Sequence, residues 1–479
     1  MRMKDHVERD DLKDDPWLRQ VGQQILAGGA RQALAQLLPV LQSPHATARV
    51  FELAVICYLD LRDDVTAQAL VDVAVAAFPD DPWVMNQKGR IALQKGNKTL
   101  ARTCFETVLV SSPHHIGALV ALNLIETFAK GSDLDRRLRM AAKSAGLDRR
   151  VLATAHSGIA LIEEKAGNFA SAFYHHKQCN KLRGAVFDPS TDALLVETQS
   201  VHFQPLPECA LAGPAPFVFI GGMPRSGTTV LETALVRHPL IDSIGETSTL
   251  ARATAKAVRM AEATGPLVTP WDWMDRLTDE QFLELRADVL AAFSVGRKEG
   301  RVVLEKMPLA CLRFGLAHYL LPDARFIHMK RHPLDCGLSN FVTNFERGYD
   351  WATRLDWIAA TQMATDAAAR DYAGKLGARF RLQSFRALVE APEQALKAIL
   401  AHIGLPWHPA CLSPEENTDI QRTASMLQVR EGFNTKGLGK WKRYEKQLRP
   451  LIQSFGGADA IMAWEEEDQT IMQASVAAE

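Results

Sequence analysis

The chain has 479 residues, enough for two or three domains with full cores, and its 47% apolar and 23% charged residues exclude a disordered or fibrous chain. With 55 Lys+Arg against 56 Asp+Glu, no global field selects nucleic acid or an anionic membrane as partner, so any anion site must be local. Seven scattered cysteines without a C-x-x-C pair suggest neither a disulfide framework nor a zinc site and fit reduced thiols.

The N-terminal stretch MRMKDHVERDDLKDD is charged and lacks the apolar core of a signal peptide. No later stretch supplies about 18 uninterrupted apolar residues for a membrane span, so a soluble, cytoplasmic protein is expected.

From Leu18 to about Arg183 the pattern is helical and repeats. The turn FPDDP at Phe78 to Pro82 recurs as SPHH at Ser112 to His115, placing Pro79 and Pro113 34 residues apart. In that register Gly89 falls where two helices cross, Ala101 and Phe105 lie on the second helix, and Ala67, Ala74 and Pro79 occupy the preceding unit. GNFASAFYHH at Gly167 to His176 echoes GNKTLARTCF at Gly96 to Phe105. The units resemble tetratricopeptide repeats, whose stacked helix pairs bury a common core and leave a concave face. A generic helical bundle is the alternative. After Arg183 the composition turns rich in proline and glycine, as in a linker. We expect a repeat domain at 1–190, a linker at 191–215, a second domain at 216–460 and a tail at 461–479.

The second domain opens with FVFIGGMPRSGTT, Phe217 to Thr229. A short apolar strand runs into a glycine turn, and TVLETALVRH then reads as a helix stopped by Pro239. Gly221, Gly222 and Gly227 let backbone amides and a helix N-terminus face an anion. A triphosphate-binding loop needs G-x-x-x-x-G-K-S/T, but Thr228 stands in the lysine position here, and no metal is expected. Arg225 can form a bidentate fork to a tetrahedral anion, with Ser226, Thr228 and Thr229 adding hydroxyls.

Two further strands end in cations. RVVLEKMP brings Lys306 to a strand end, and ARFIHMKRHPLDCGLSNF places Arg331 after a strand and Ser339 about two turns into a helix opened by Pro333. In a parallel sheet ligands bind beyond the carboxyl ends of the strands, so Arg225, Lys306 and Arg331 are expected to meet around one ligand.

FIGGMPRSGTTVLETAL resembles the 5′-phosphosulfate loop of sulfotransferases, and KRHPLDCGLSNF resembles their 3′-phosphate motif. The resemblance covers roughly Pro216 to Phe455. It is nearest to tyrosylprotein sulfotransferases and to bacterial proteins that join tetratricopeptide repeats to such a domain. It implies an α + α/β chain, with helical repeats followed by a P-loop-type three-layer α/β domain on a parallel sheet. The implied donor is 3′-phosphoadenosine 5′-phosphosulfate (PAPS), bound by Gly222, Arg225, Ser226, Gly227, Thr228, Thr229, Arg331 and Ser339. Lys306 is implied to stabilise the bridging oxygen, and Glu246 in SIGET to act as the base that an acceptor hydroxyl needs. His238 and His332 are the other candidate bases, each beside a proline.

TASMLQVREGFNTKGLGKW, Thr423 to Trp441, resembles the late loop that closes over PAPS. It adds Thr423, Ser425, Lys436 and Lys440 as donor contacts. Relatives carry Tyr-Glu-Asp-Leu after the fourth strand, where this chain has Phe385, Arg386, Ala387 and Leu388, which implies altered acceptor contacts. The region from Leu250 to Glu299 is expected to be a helical insertion bordering the acceptor. Peptide tyrosine, sugar, and small phenol or alcohol acceptors all remain open, as does a protein partner on the repeats. The rival reading is an inactive scaffold that only binds nucleotide.

Overall fold

The computed structural model describes residues 15–26, 29–44, 46–61, 63–144, 146–206, 213–247, 249–294, 300–345, 348–417 and 432–476. They fall into two compact units. One takes residues up to Ala185 together with Val342–Tyr349; the other takes Val186–Phe341, Asp350–Asn417 and 432–476.

In the first unit, helices follow one another from Pro16–Leu26 to Phe169–Arg183. Side chains before the helices fix where they start. Asp81 accepts from the amides of Trp83 (2.9 Å) and Val84 (3.0 Å), and Asn97 accepts from Leu100 (3.0 Å). The helices Pro82–Gln94 and Lys98–Ser111 cross at Gly89, where an added Cβ would lie 2.7 Å from the Phe105 ring. Only glycine allows that approach. Gly96 and Gly167, the two turn glycines matched in the sequence, both adopt left-handed φ, at 80° and 77°. Ala67, Ala74, Ala101 and Phe105 are wholly buried.

The second unit is built on one all-parallel sheet. Its strands are β1 (Phe217–Gly222), β2 (Ile241–Gly245), β3 (Val302–Lys306), β4 (Arg325–Lys330) and β5 (Phe380–Ser384), in the spatial order β2-β3-β1-β4-β5. Side chains of β1 alternate between two cores. Phe217 and Phe219 join Phe293, Phe314 and Phe326 on one face, while Val218 and Ile220 join Leu231, Leu235 and Ile399 on the other. Apolar cover on both faces makes a helix–sheet–helix sandwich, the usual setting of a parallel sheet. Ile220 lies opposite Lys306 on β3, and Gly222 lies opposite Met329 on β4. The carboxyl ends of the three central strands are therefore level.

Two stretches hold more structure than their composition predicts. Within 191–215 the chain forms the helix Ser190–His202, and Phe203 beyond it is wholly buried, edge-on to Tyr372 at 5.4 Å. Of the prolines and glycines that signalled a linker, Gly184 and Pro189 precede that helix, and Pro205, Gly213 and Pro214 follow it. The expected tail forms the helix Ala458–Val476 instead; its Ile461 and Trp464 are buried, and its Glu467 pairs with Lys330.

A buried carboxylate ties the later helices of the first unit. Glu163, 2% exposed, accepts from Lys130 (2.8 Å), Arg139 (2.7 Å) and Asn168 (3.0 Å). Burial pushes its pKa up, but the hydrogen bonds from Lys130, Arg139 and Asn168 outweigh this and hold it at about 2. Because the folded value lies below the unfolded one, the carboxylate contributes fully above the ordinary glutamate range. Its contribution is lost as pH falls toward about 2. Glu163→Gln should cost this unit about 1–3 kcal/mol near neutrality. It should also flatten the acid side of its stability curve, as read by denaturant melts between pH 7 and 2.

Candidate functional site

The turn after β1 is shaped by three residues with positive φ: Gly222 (141°), Arg225 (69°) and Gly227 (106°). An added Cβ on Gly222 would meet the Met329 carbonyl at 2.7 Å, and one on Gly227 would meet the Phe385 ring at 2.3 Å. Arg225 is the uncommon case, a side-chain-bearing residue held in a region that costs free energy and persists chiefly where a site demands it. Ser226 in the same turn is 1% exposed, and its hydroxyl finds no partner. Thr228 and Thr229 begin the helix Thr228–Leu235 and are both buried. The turn thus offers a helix N-terminus and an unspent hydroxyl.

Arg225 donates through Nε to the Ser339 hydroxyl at 3.1 Å. Arg331 donates from one terminal nitrogen to the Arg225 carbonyl (2.6 Å) and from the other to the Gly437 carbonyl (2.6 Å). Its Nε is buried without a partner, and its guanidinium lies 4.7 Å from the centre of the Phe385 ring. Burial, and then the neighbouring Arg331, bring the Arg225 pKa down to about 10, and burial also lowers that of Arg331. Arg225 stays cationic at neutral pH. Two crowded guanidinium groups in one cleft are an arrangement that an anion relieves.

Lys306 ends β3 and is wholly buried. Its ammonium pairs with Glu246, which follows β2, lies 3.4 Å from Glu232 of the loop helix, and reaches the Thr229 hydroxyl at 3.4 Å. Burial works against the charge, yet the carboxylates of Glu232 and Glu246 more than offset it and raise the lysine above its ordinary value. Glu246 is the more open of the two carboxylates, at 26% against 13% exposure.

Arg225, Ser226, Thr229, Lys306, Arg331, Ser339 and Glu246 therefore meet at the carboxyl ends of β2, β3, β1 and β4. The other candidate bases are engaged elsewhere. His238 is buried, with Nε2 against the Pro406 carbonyl (3.1 Å) and Nδ1 accepting from the Leu240 amide (3.1 Å). His332 meets Glu465 at 2.9 Å and stacks on Trp441. The Lys436 side chain is exposed, although the next residue, Gly437, is held by Arg331. Thr423 and Ser425 lie outside the described residues. Among the described residues no group of three or more His, Cys, Asp or Glu is placed to hold a metal ion.

Three participants escaped the sequence. Glu232 is the second carboxylate on Lys306, and its place one turn beyond Thr229 was the available signal. Phe385, noted only as a departure, backs both Gly227 and Arg331. Asp335, 3% exposed, accepts from the amides of Gly439 (2.7 Å) and Trp441 (2.9 Å) and so fastens residues 437–441 beside Arg331.

Residues 216–409 match the family model described as "Sulfotransferase family". An uncharacterized protein of Aquifex aeolicus is 31% identical over 245 residues, which is 49% of this chain and 32% of that protein. Protein-tyrosine sulfotransferase 1 of Danio rerio is 26% identical over 241 residues, covering 47% of this chain and 65% of its own. The chain thus spans about a third and about two thirds of these relatives. Among solved structures, the sulfotransferase domain of the Synechococcus PCC 7002 olefin synthase matches 49% of this chain and 90% of its own, at 20% identity and a TM-score of 0.35. The matched segment supports a sulfotransferase family, and it contains every described site residue named above except Lys436 and residues 437–441.

Asp335→Asn should free residues 437–441 without unfolding the sheet. Amide exchange at Gly439 and Trp441 should accelerate roughly ten- to hundredfold, while amides of β1 and β4 keep their protection.

Proposed function

We propose that the second unit is a sulfotransferase domain that moves a sulfuryl group from PAPS to an acceptor hydroxyl. The observation that carries this reading is Lys306. A wholly buried ammonium costs several kcal/mol unless it is paired, and this one is kept beside the anion-shaped turn, touching Thr229 and flanked by carboxylates.

In this reading Arg225, Ser226 and the amides of the turn bind the 5′-phosphosulfate, and Arg331 and Ser339 hold the 3′-phosphate. The unspent Ser226 hydroxyl and the unpartnered Nε of Arg331 fit such oxygens. The transfer breaks the bond between sulfur and the bridging oxygen and makes a new sulfur–oxygen bond to the acceptor. The acceptor proton passes to Glu246, and the nucleotide leaves as 3′-phosphoadenosine 5′-phosphate. Charge grows on the bridging oxygen, where a fixed ammonium is worth most. Lys306 supplies it. No metal takes part in this scheme.

The acceptor class is a peptide tyrosine, a sugar hydroxyl, or a small phenol or alcohol. The helix Thr249–Glu262 starts three residues beyond Glu246, and this reading assigns the acceptor to that side. We assign the first unit as tetratricopeptide-like, on the Pro79 to Pro113 spacing and the glycine crossing at Gly89, with recruitment of acceptor or partner protein as its role. No helix among the described residues is long and apolar enough to cross a membrane.

The test is transfer of labelled sulfate from PAPS to a panel of peptide, sugar and phenolic acceptors. Glu246→Gln should lower kcat about a hundredfold or more, and Arg225→Ala should abolish transfer. The product nucleotide should raise the melting temperature of the unaltered chain, and ATP with Mg²⁺ should not. Tight nucleotide binding with no transfer to any acceptor would turn the assignment toward a binding scaffold.

A further inference from the structure

Lys306 carries one positive charge and faces two carboxylates, one more than neutralisation requires. The two differ in their support. Glu232 projects from the loop helix Thr228–Leu235, is the more buried, and accepts a 2.6 Å hydrogen bond from the Ser243 hydroxyl, which itself accepts from the Gly245 amide at 3.0 Å. Glu246 sits just past the end of β2 and is the more exposed. One carboxylate is fixed on a rigid element; the other stands at the mouth of the site.

We propose that Glu232 is a positioning residue, the permanent counter-ion that keeps Lys306 in place while Glu246 is released to take the acceptor proton. The inference rests on the sulfotransferase reading given above. During transfer, Glu246 gains a proton and loses its charge. A buried ammonium left with no other partner would then face the full desolvation cost at the moment its charge is needed. Glu232 covers that interval, and Ser243 holds Glu232 so that it does not follow the lysine. The groups facing Lys306 are Glu232 and the Thr229 hydroxyl from the loop helix and Glu246 from beyond β2. Glu305, its neighbour on β3, is engaged by Thr247.

The arrangement makes a pH signature. Both carboxylates raise the lysine pKa against the effect of burial, so removing Glu232 makes Lys306 lose its proton at lower pH. The experiment compares the unaltered chain with Glu232→Gln and Glu232→Asp, measuring sulfuryl transfer from PAPS between pH 6 and 10. With Glu232→Gln, kcat should fall roughly ten- to hundredfold, KM for PAPS should stay within about threefold, and the alkaline limb of kcat should move to lower pH. Glu232→Asp should restore part of kcat and part of the limb. A merely structural contribution would lower the rate equally at every pH. An unmoved alkaline limb, or full activity in Glu232→Gln, overturns the role of Glu232 and leaves the sulfotransferase reading standing. If the unaltered chain transfers nothing to any acceptor, the sulfotransferase reading falls and this inference falls with it.

Discussion

The second unit is organised around an ammonium that has to remain charged where water does not reach it. Lys306 is the last residue of a central strand, wholly buried, with its ammonium among Glu246, Glu232 and the Thr229 hydroxyl. Its neighbours are arranged to meet that constraint. β2 ends level with β3 and delivers Glu246, and the loop helix delivers Thr229 and Glu232 from above β1. The glycine turn and the lysine are one electrostatic unit assembled from three strands.

This distributes cationic charge differently from a triphosphate-binding loop, in which a lysine follows the last glycine. Here that position is Thr228, and the charges come from Arg225 inside the turn, Lys306 on one neighbouring strand and Arg331 beyond the other. The three cations thus come from three strands that neighbour one another in the sheet, β3, β1 and β4, and not from one loop. The positive φ of Arg225 follows from the same layout, since its Nε reaches Ser339 while its carbonyl accepts from Arg331.

The legible parts of the site were those whose chemistry is local. FVFIGG announces a strand and a turn within a few residues, and KRHP marks a strand end and a helix start, so the sequence alone places Arg225, Lys306 and Arg331 at strand ends. Glu246 could be placed only through its resemblance to a motif. What stayed hidden depended on partners distant in sequence. Glu232 looks like an ordinary helix glutamate until Lys306 lies beside it, and Asp335 looks like a first-turn acid until Gly439 and Trp441 arrive. The helix Ser190–His202 was masked because proline and glycine dominate the composition of the stretch after it, although ALLVETQSVH carries no breaker of its own.

The clasp on Asp335 joins residues 104 positions apart, and Arg331 reaches Gly437 over 106. Closing so long a loop costs entropy before any contact repays it, and such pairings form late. During synthesis, β1, β3 and β4 with their cations are complete while the segment that covers Arg331 is still untranslated. Until residues 437–441 are made, Arg331 lacks the Gly437 carbonyl to which it donates in the finished fold. The contacts that Arg331 and Asp335 make to residues 437–441 therefore wait together on the completion of the chain.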